Sequence, residues 1–267
     1  MEISQIIGYV FAVFVGVTLG MLGSGGSILS VPILVYIMGI EPALATAYSL
    51  FIIGTTSLVG GIHKAKQKLV DFNKVVLFGI PAVISVFITR KIVVPRIPDI
   101  IFSTGNFTLS KSILIMIVFA VVMIFASVRM IKPVTVKKNS DSQNLNYYKI
   151  ALMGILIGLV SGFVGAGGGF LIVPTLLFFA KIPIKRAVGT SLFIVAAQSL
   201  IGFLGDIMSD QIIDWKLLQF FTLASIIGIF IGNFISKKVG EEKLKIGFGW
   251  FVLAMGIYII IREIFLS

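Results

Sequence analysis

The chain contains no cysteine and a single histidine, His63. Disulfides, thiolate metal centres and cysteine nucleophiles are therefore excluded, and neither a metal nor a cofactor is expected. Charge is also scarce, at 12% of residues against 58% hydrophobic, with a mean hydropathy of +1.10. A soluble domain of 267 residues needs far more charge to cover its surface. The strict alternation of a membrane β-barrel is missing too, because the apolar residues come in continuous runs. No basic segment precedes the first run, only Met1 and Glu2, so that run reads as a retained helix. Paired carboxylates inside the runs and a soluble catalytic domain are both lacking, which argues against an enzyme or an assembly factor.

What is present is length in the apolar direction. Runs over Ile3–Leu22, Ala43–Ile62, Lys74–Val94, Ser112–Ile131, Ile184–Leu204, Lys216–Ile235 and Ile246–Ile261 each span, or nearly span, a hydrocarbon core. Ile150–Val164 is borderline, and Ser27–Met38 and Gly169–Ala180 are too short to cross upright. The chain is thus expected to be an all-α polytopic protein of the cell (inner) membrane. Its formal charge of +11 does not imply nucleic acid, because the basic residues gather in short loops between runs, as topology anchors do.

The chain also repeats itself. Gly16–Ile52 aligns without gaps on Gly158–Ile194, with 15 of 37 positions identical. The matches include five glycines, Pro32/Pro174 and Ser49/Ser191, which apolar bias alone would not place in register. The register continues through Ser57/Ser199 and Gly60/Gly202. One inserted residue later, Asp71-Phe72 meets Asp214-Trp215. A polar stretch, Lys137–Asn146, separates the copies. We therefore divide the chain into a first membrane repeat (1–132), a cytoplasmic linker (133–149) and a second membrane repeat (150–267), each repeat holding about five helical segments.

Equivalent loops carry opposite charge. The loop after Ile62 holds His63, Lys64, Lys66, Lys68 and Lys74, whereas its counterpart holds Asp206, Asp210 and Asp214. The turn at Glu41 is matched by one with Lys181, Lys185 and Arg186. Placing the repeats with inverted topology puts sixteen of the 22 basic residues on the cytoplasmic side, as the positive-inside bias demands. Four crossings per half, with re-entrant short segments and parallel repeats, is the competing arrangement. In the inverted one, Arg90, Lys91 and Arg96 lie together in an outside loop, against the bias. No charged residue is then expected within a span.

The motif inside the repeat reads Gly20-Met21-Leu22-Gly23-Ser24-Gly25-Gly26-Ser27 in the first copy and Gly162-Phe163-Val164-Gly165-Ala166-Gly167-Gly168-Gly169 in the second. Glycine-dense backbone interrupts a helix and bares N–H groups. Within a bilayer those groups must be satisfied, so such a break is tolerated where it lines a polar cavity. A helix restarting there presents its positive end to an anion. Interrupted segments at matching places in two halves point to a transporter's binding site. The candidate substrate-binding residues are Gly23, Ser24, Gly25, Gly26 and Ser27, with Gly165, Gly167, Gly168 and Gly169. Ser49, Ser191 and Gln198 from the following segments complete the shell, since hydroxyls and amides hold an oxyanion without a formal charge. Gly16/Gly20 and Gly158/Gly162, four apart, are read as helix-packing positions. His63 is read as interfacial.

At these residues the chain resembles the sulfite exporter TauE/SafE family of membrane permeases. The resemblance covers nearly the whole chain. It rests on the twin glycine motifs ending in Val31-Pro32 and Val173-Pro174, and on the Ala45–Leu50 and Ala187–Leu192 stretches. It implies a substrate among sulfite and related sulfur-containing or organic anions, often moved outward. The expected partners are a small anionic solute and the lipid bilayer. The expected mechanism is a secondary carrier working by alternating access, with a channel-like anion pore as the alternative.

Overall fold

The computed structural model describes residues 3–104, 107–131, 147–208, 213–236 and 241–265. The first half contains α1 (Ile3–Leu22), a 3-10 turn (Gly23–Leu29), α2 (Ser30–Pro32), a π turn (Ile33–Ile37), α3 (Pro42–Lys66) and α4 (Phe72–Ile88). A second π turn (Thr89–Val93), α5 (Val94–Arg96), the hairpin strands β1 (Ile100–Thr104) and β2 (Phe107–Ser110), and α6 (Lys111–Ile131) complete it. The second half contains α7 (Tyr147–Val164), α8 (Gly169–Phe178), α9 (Ile184–Ile207), α10 (Trp215–Ile235) and α11 (Glu241–Phe265). Of the expected linker, 133–146 lies outside the described residues and 147–149 form the first turn of α7. The β1–β2 hairpin was not expected from the sequence.

Seven helical stretches among the described residues are long and apolar enough to cross a membrane, and Tyr148–Val164 and Gly169–Phe178 are shorter apolar helices. One of the seven, Gln5–Ile37, is folded on itself. The chain reverses at Gly23, whose φ is +68°, so that Gly26 lies against Thr18 and Gly8 against Met38. The protein is a multi-pass membrane protein. Its outer surface carries exposed Val10, Phe14, Ile80, Ile84, Phe125, Ile227 and Phe234, a continuous apolar coat suited to acyl chains rather than water.

Equivalent elements are built by equivalent devices. Asp71 caps α4, its carboxylate accepting from Lys74 N at 3.2 Å, and Asp214 caps α10, accepting from Leu217 N at 3.0 Å. Each cap satisfies a main-chain donor that the first helical turn leaves open. Both short segments end in a left-handed residue, Gly39 at φ +70° and Lys181 at φ +52°, which stops the helix and turns the chain.

The halves are interleaved. α1 of the first half packs along α10 of the second, and its equivalent α7 packs along α4, while α3 pairs with α9 and α6 with α11. Glycines make the first two seams close. A Cβ on Gly16 would lie 1.9 Å from Ser225 O, and one on Gly158 would lie 2.6 Å from Ala82 O. Gly16/Gly20 and Gly158/Gly162 are therefore packing positions, where only hydrogen lets the backbones meet. In the α3–α9 pair, Gly54 faces Leu200 and Gly61 faces Phe193. The contact register falls as α3 rises, so these equivalent helices run antiparallel. Gly249 against Met130 and Gly256 against Met123 give the same sense for α6 and α11.

Candidate functional site

The two glycine motifs meet inside the bundle. Ser24 Oγ donates to Gly169 O at 3.1 Å, and a Cβ on Gly169 would fall 2.1 Å from Ser24 O. Their backbones differ. The second copy follows the expected interruption: Gly165, Gly167 and Gly168 all have positive φ (+73°, +65°, +60°), and α8 restarts at Gly169. The first copy does not. Only Gly23 is left-handed, and Gly23–Leu29 continues as a 3-10 helix. Its i→i+3 bonds pair main-chain groups along the turn, so the expected interruption with a restarting helix is found in one copy rather than two. In the first copy Gly26 instead allows the turn to lie on α1, where Thr18 Oγ1 approaches Gly26 O at 3.4 Å.

The remaining predicted residues divide into those that bond within or to the motifs and one, Ser191, whose hydroxyl bonds within its own helix. Gln198 Nε2 donates to Gly167 O and lies 3.3 Å from Ser161 Oγ. Gly168 packs on Ser161, and Gly167 faces Ser199 Oγ. Ser49 Oγ pairs with Ser30 Oγ at 2.5 Å, and Ser30 Oγ also donates to Ser27 O. Ser191 is different: its hydroxyl donates to Val188 O at 2.8 Å within its own helix. Gly25 is the most open of the glycines in the motifs, with only Leu22 Cβ, at 3.8 Å, near an added Cβ. It borders a cavity of about 1010 Å³ whose walls include Leu22, Val160, Phe170, Val188 and Arg129.

The region is rich in buried polar atoms without protein partners. Ser27 Oγ, Thr56 Oγ1, Ser57 Oγ, Gln198 Oε1 and Ser199 Oγ have none, and all five residues are fully buried. Thr56/Gln198 and Ser57/Ser199 occupy equivalent places in the two repeats. Buried polar atoms are ordinarily paired, and in a membrane interior the penalty for leaving them open is larger. Of the five residues, Gln198 and Ser199 adjoin Gly167 of the second break.

Several charged residues expected in loops are helical, and Arg90 and Asp206 among them are buried. Arg90 does not lie in an outside loop. It sits in the π turn that prolongs α4, with its side chain 1% exposed, and Nη1 is 3.4 Å from Asp206 Oδ1. Nη1 also donates to Thr46 Oγ1 at 3.1 Å. Asp206, expected in a loop, lies in the last turn of α9 and is buried. The expectation that no charge lies within a span is thereby corrected. Helix α4 passes through Pro81 and meets no further terminating residue before Arg90, and the repeat register sets Arg90 opposite Asn233, inside an apolar run. His63 is likewise helical, in the last turn of α3, with Nε2 2.9 Å from Gln67 Nε2.

The chain was also compared with known proteins. The family described as Sulfite exporter TauE/SafE matches it over residues 9–259. A probable membrane transporter protein of Xylella fastidiosa is 29% identical over 255 residues, covering 93% of this chain and 92% of that one. One of Methanocaldococcus jannaschii is 26% identical, covering 93% and 94%. One of Bacillus subtilis is 25% identical, covering 88% and 89%. No solved structure matches the chain significantly.

Proposed function

The chain belongs to the sulfite exporter TauE/SafE family, and on that premise we propose that it is a secondary transporter of small anions, sulfite or related sulfur-containing and organic anions, that works by alternating access. The relatives named above are all described as membrane transporters. The observation that carries the finer reading is the pairing of the two glycine motifs through Ser24 and Gly169, set among buried hydroxyl and amide atoms that have no protein partner.

The proposed substrate shell consists of Gly23, Ser24, Gly25, Gly26, Ser27, Gly165, Gly167, Gly168 and Gly169, with Ser49 and Gln198. Ser191 belongs to it only if its hydroxyl leaves Val188 O when substrate binds. The N-terminus of α8, opened by Gly168, supplies main-chain donors and positive potential. The cavity bordering Gly25 is the proposed access route. Antiparallel packing of the equivalent helices α3 and α9 supports inverted repeats, a plan in which one half rocks against the other about a shared site. Outward movement needs no coupling ion, since an inside-negative potential expels anions with about 2.3 kcal/mol per charge per 100 mV.

The test is flux of sulfite, thiosulfate, sulfoacetate and sulfate in proteoliposomes holding the purified protein. Saturable flux with counterflow is expected. Linear, non-saturating flux without counterflow would convert the carrier into a pore, and absence of flux for all four anions would refute the proposal.

A further inference from the structure

We infer that Arg90 is the charged anchor for the transported anion, binding an oxyanion through Nε–H and Nη2–H, and that Asp206 is the internal carboxylate that shares the guanidinium when no anion is bound. The inference rests on the anion-transport reading and adds to it a residue outside the shell proposed above.

The first ground is incomplete pairing. Arg90 is 1% exposed, yet Nε and Nη2 have no protein partner. Its contact with Asp206 is a single one at 3.4 Å. Charge-assisted hydrogen bonds are usually about 2.7–2.9 Å, and arginine–carboxylate pairs are frequently bidentate. A guanidinium used only to hold the fold together is expected to be saturated, because a half-paired buried ion is destabilising. Here two adjacent donors of the planar fork remain unused.

The second ground is the setting. Three glycines surround the side chain. A Cβ on Gly205 would lie 3.1 Å from Arg90 Cβ, and one on Gly202 4.0 Å from Arg90 Cγ. One on Gly165 would lie 2.5 Å from Nη2. Gly165 is the left-handed first residue of the second bend, so the open end of the guanidinium faces the main chain of the proposed shell. Movement of that bend uncovers the fork.

The third ground comes from the repeat. Asn233, at the position equivalent to Arg90, is 5% exposed, and neither amide atom has a protein partner. Its main-chain N lies beside Gly20 of the first motif, whereas it is the Arg90 side chain that reaches Gly165 of the second. Asp206 is matched by Lys64. Open donors thus recur at equivalent places, with a formal cation on one side and a neutral amide on the other. An anion meets charge at one bend only, which makes the two ends of its path inequivalent. Two parallel N–H groups fit two oxygens of one sulfur or carbon centre, so the ligand class is a small oxyanion: sulfite, sulfate, sulfonate or carboxylate.

The test uses R90Q/D206N, which removes both charges and leaves no lone buried ion, together with D206N alone. Anion-dependent thermal stabilisation of the purified protein and flux in proteoliposomes are measured with sulfite, sulfate, thiosulfate and sulfoacetate. R90Q/D206N is expected to bind at least tenfold more weakly and to lose saturable flux. D206N is expected to bind several-fold more tightly, because the internal competitor is gone. Wild-type affinity in a folded R90Q/D206N overturns the inference, as does the absence of any anion-dependent stabilisation in the wild type. If R90Q/D206N does not fold, D206N decides alone, and unchanged affinity there overturns the inference. Arg90-dependent binding without wild-type flux would instead sink the transport reading and leave the site standing.

Discussion

The main-chain N–H of Asp214 donates to the Tyr48 hydroxyl at 2.6 Å, joining the start of α10 in the second half to α3 in the first. The equivalent bond runs the other way between halves: Asp71 N donates to Thr190 Oγ1 at 3.0 Å. Tyr48 and Thr190 occupy the same repeat position, so each half's third helix holds the capping residue of the other half's fourth. A motion that separates the halves must break one or both bonds.

Tyr48→Phe and Thr190→Val each remove one of these acceptors. Each should lower stability by about 1 kcal/mol, the usual net worth of a single intramolecular hydrogen bond. Thermal melts of the purified protein measure this. The double variant should lose the sum of the two, because the bonds lie in separate loops and share no partner. A double variant no less stable than either single one would show that the two loops are coupled.

Gly169→Ala and Gly25→Ala separate packing from lining. The added methyl at Gly169 meets Ser24 main chain at 2.1 Å, whereas at Gly25 it meets only Leu22 Cβ at 3.8 Å. Overpacking against backbone costs about 1–3 kcal/mol or more. Gly169→Ala should therefore melt earlier, and Gly25→Ala should melt like the wild type. The larger Gly25→Leu should also fold but reduce anion flux, since its side chain enters the cavity. Wild-type flux in a folded Gly25→Leu protein would remove Gly25 from the site.

Gly228→Ala should disrupt the α1–α10 seam, because its Cβ would lie 2.1 Å from Val13 O. Gly247→Ala, where nothing lies within 4 Å, is the control. Helix association through small residues depends on close backbone approach. We expect a reduced yield of monodisperse protein for the first substitution and an unchanged yield for the second. Equal behaviour of the two would remove the seam from the account of stability.

Because the chain has no cysteine, single cysteines report sidedness directly. Lys66→Cys and Met208→Cys mark equivalent positions at the ends of α3 and α9. With inverted repeats, a membrane-impermeant maleimide applied to intact cells should label Met208→Cys and spare Lys66→Cys. Labelling of both from the same side would establish parallel repeats.

Much of this architecture was legible in the chain. The repeat register sets α1 against α7, α3 against α9 and the start of α4 against that of α10, and Asp71 and Asp214, matched in sequence, are matched caps. Glycines four apart marked α1 and α7 as closely packed helices, and the structure supplies their partners, α10 and α4. Ser24, Gly169 and Gln198, singled out by the motif and its following segment, make contacts at the meeting of the two motifs. The β1–β2 hairpin was missed because it lies between apolar runs and carries no repeat signal. The 3-10 geometry of the first motif was missed because its glycines look like those of the second. Their difference lies in φ, which neighbouring helices set.

The sequence by itself determined the membrane class, the internal repeat and the glycine-dense places at which the chain bends. Each follows from local composition, since apolar length, glycine density and repeat spacing act along the chain. Only the tertiary structure decided which polar groups are buried and what they face. Arg90 and Asp206 stand at the ends of different helices in different halves, where a linear reading assigns charged residues to loops. Their pairing, and the open donors left on Arg90, arise because α4 and the π turn that prolongs it pack along α9, and no period or spacing within one helix encodes that approach.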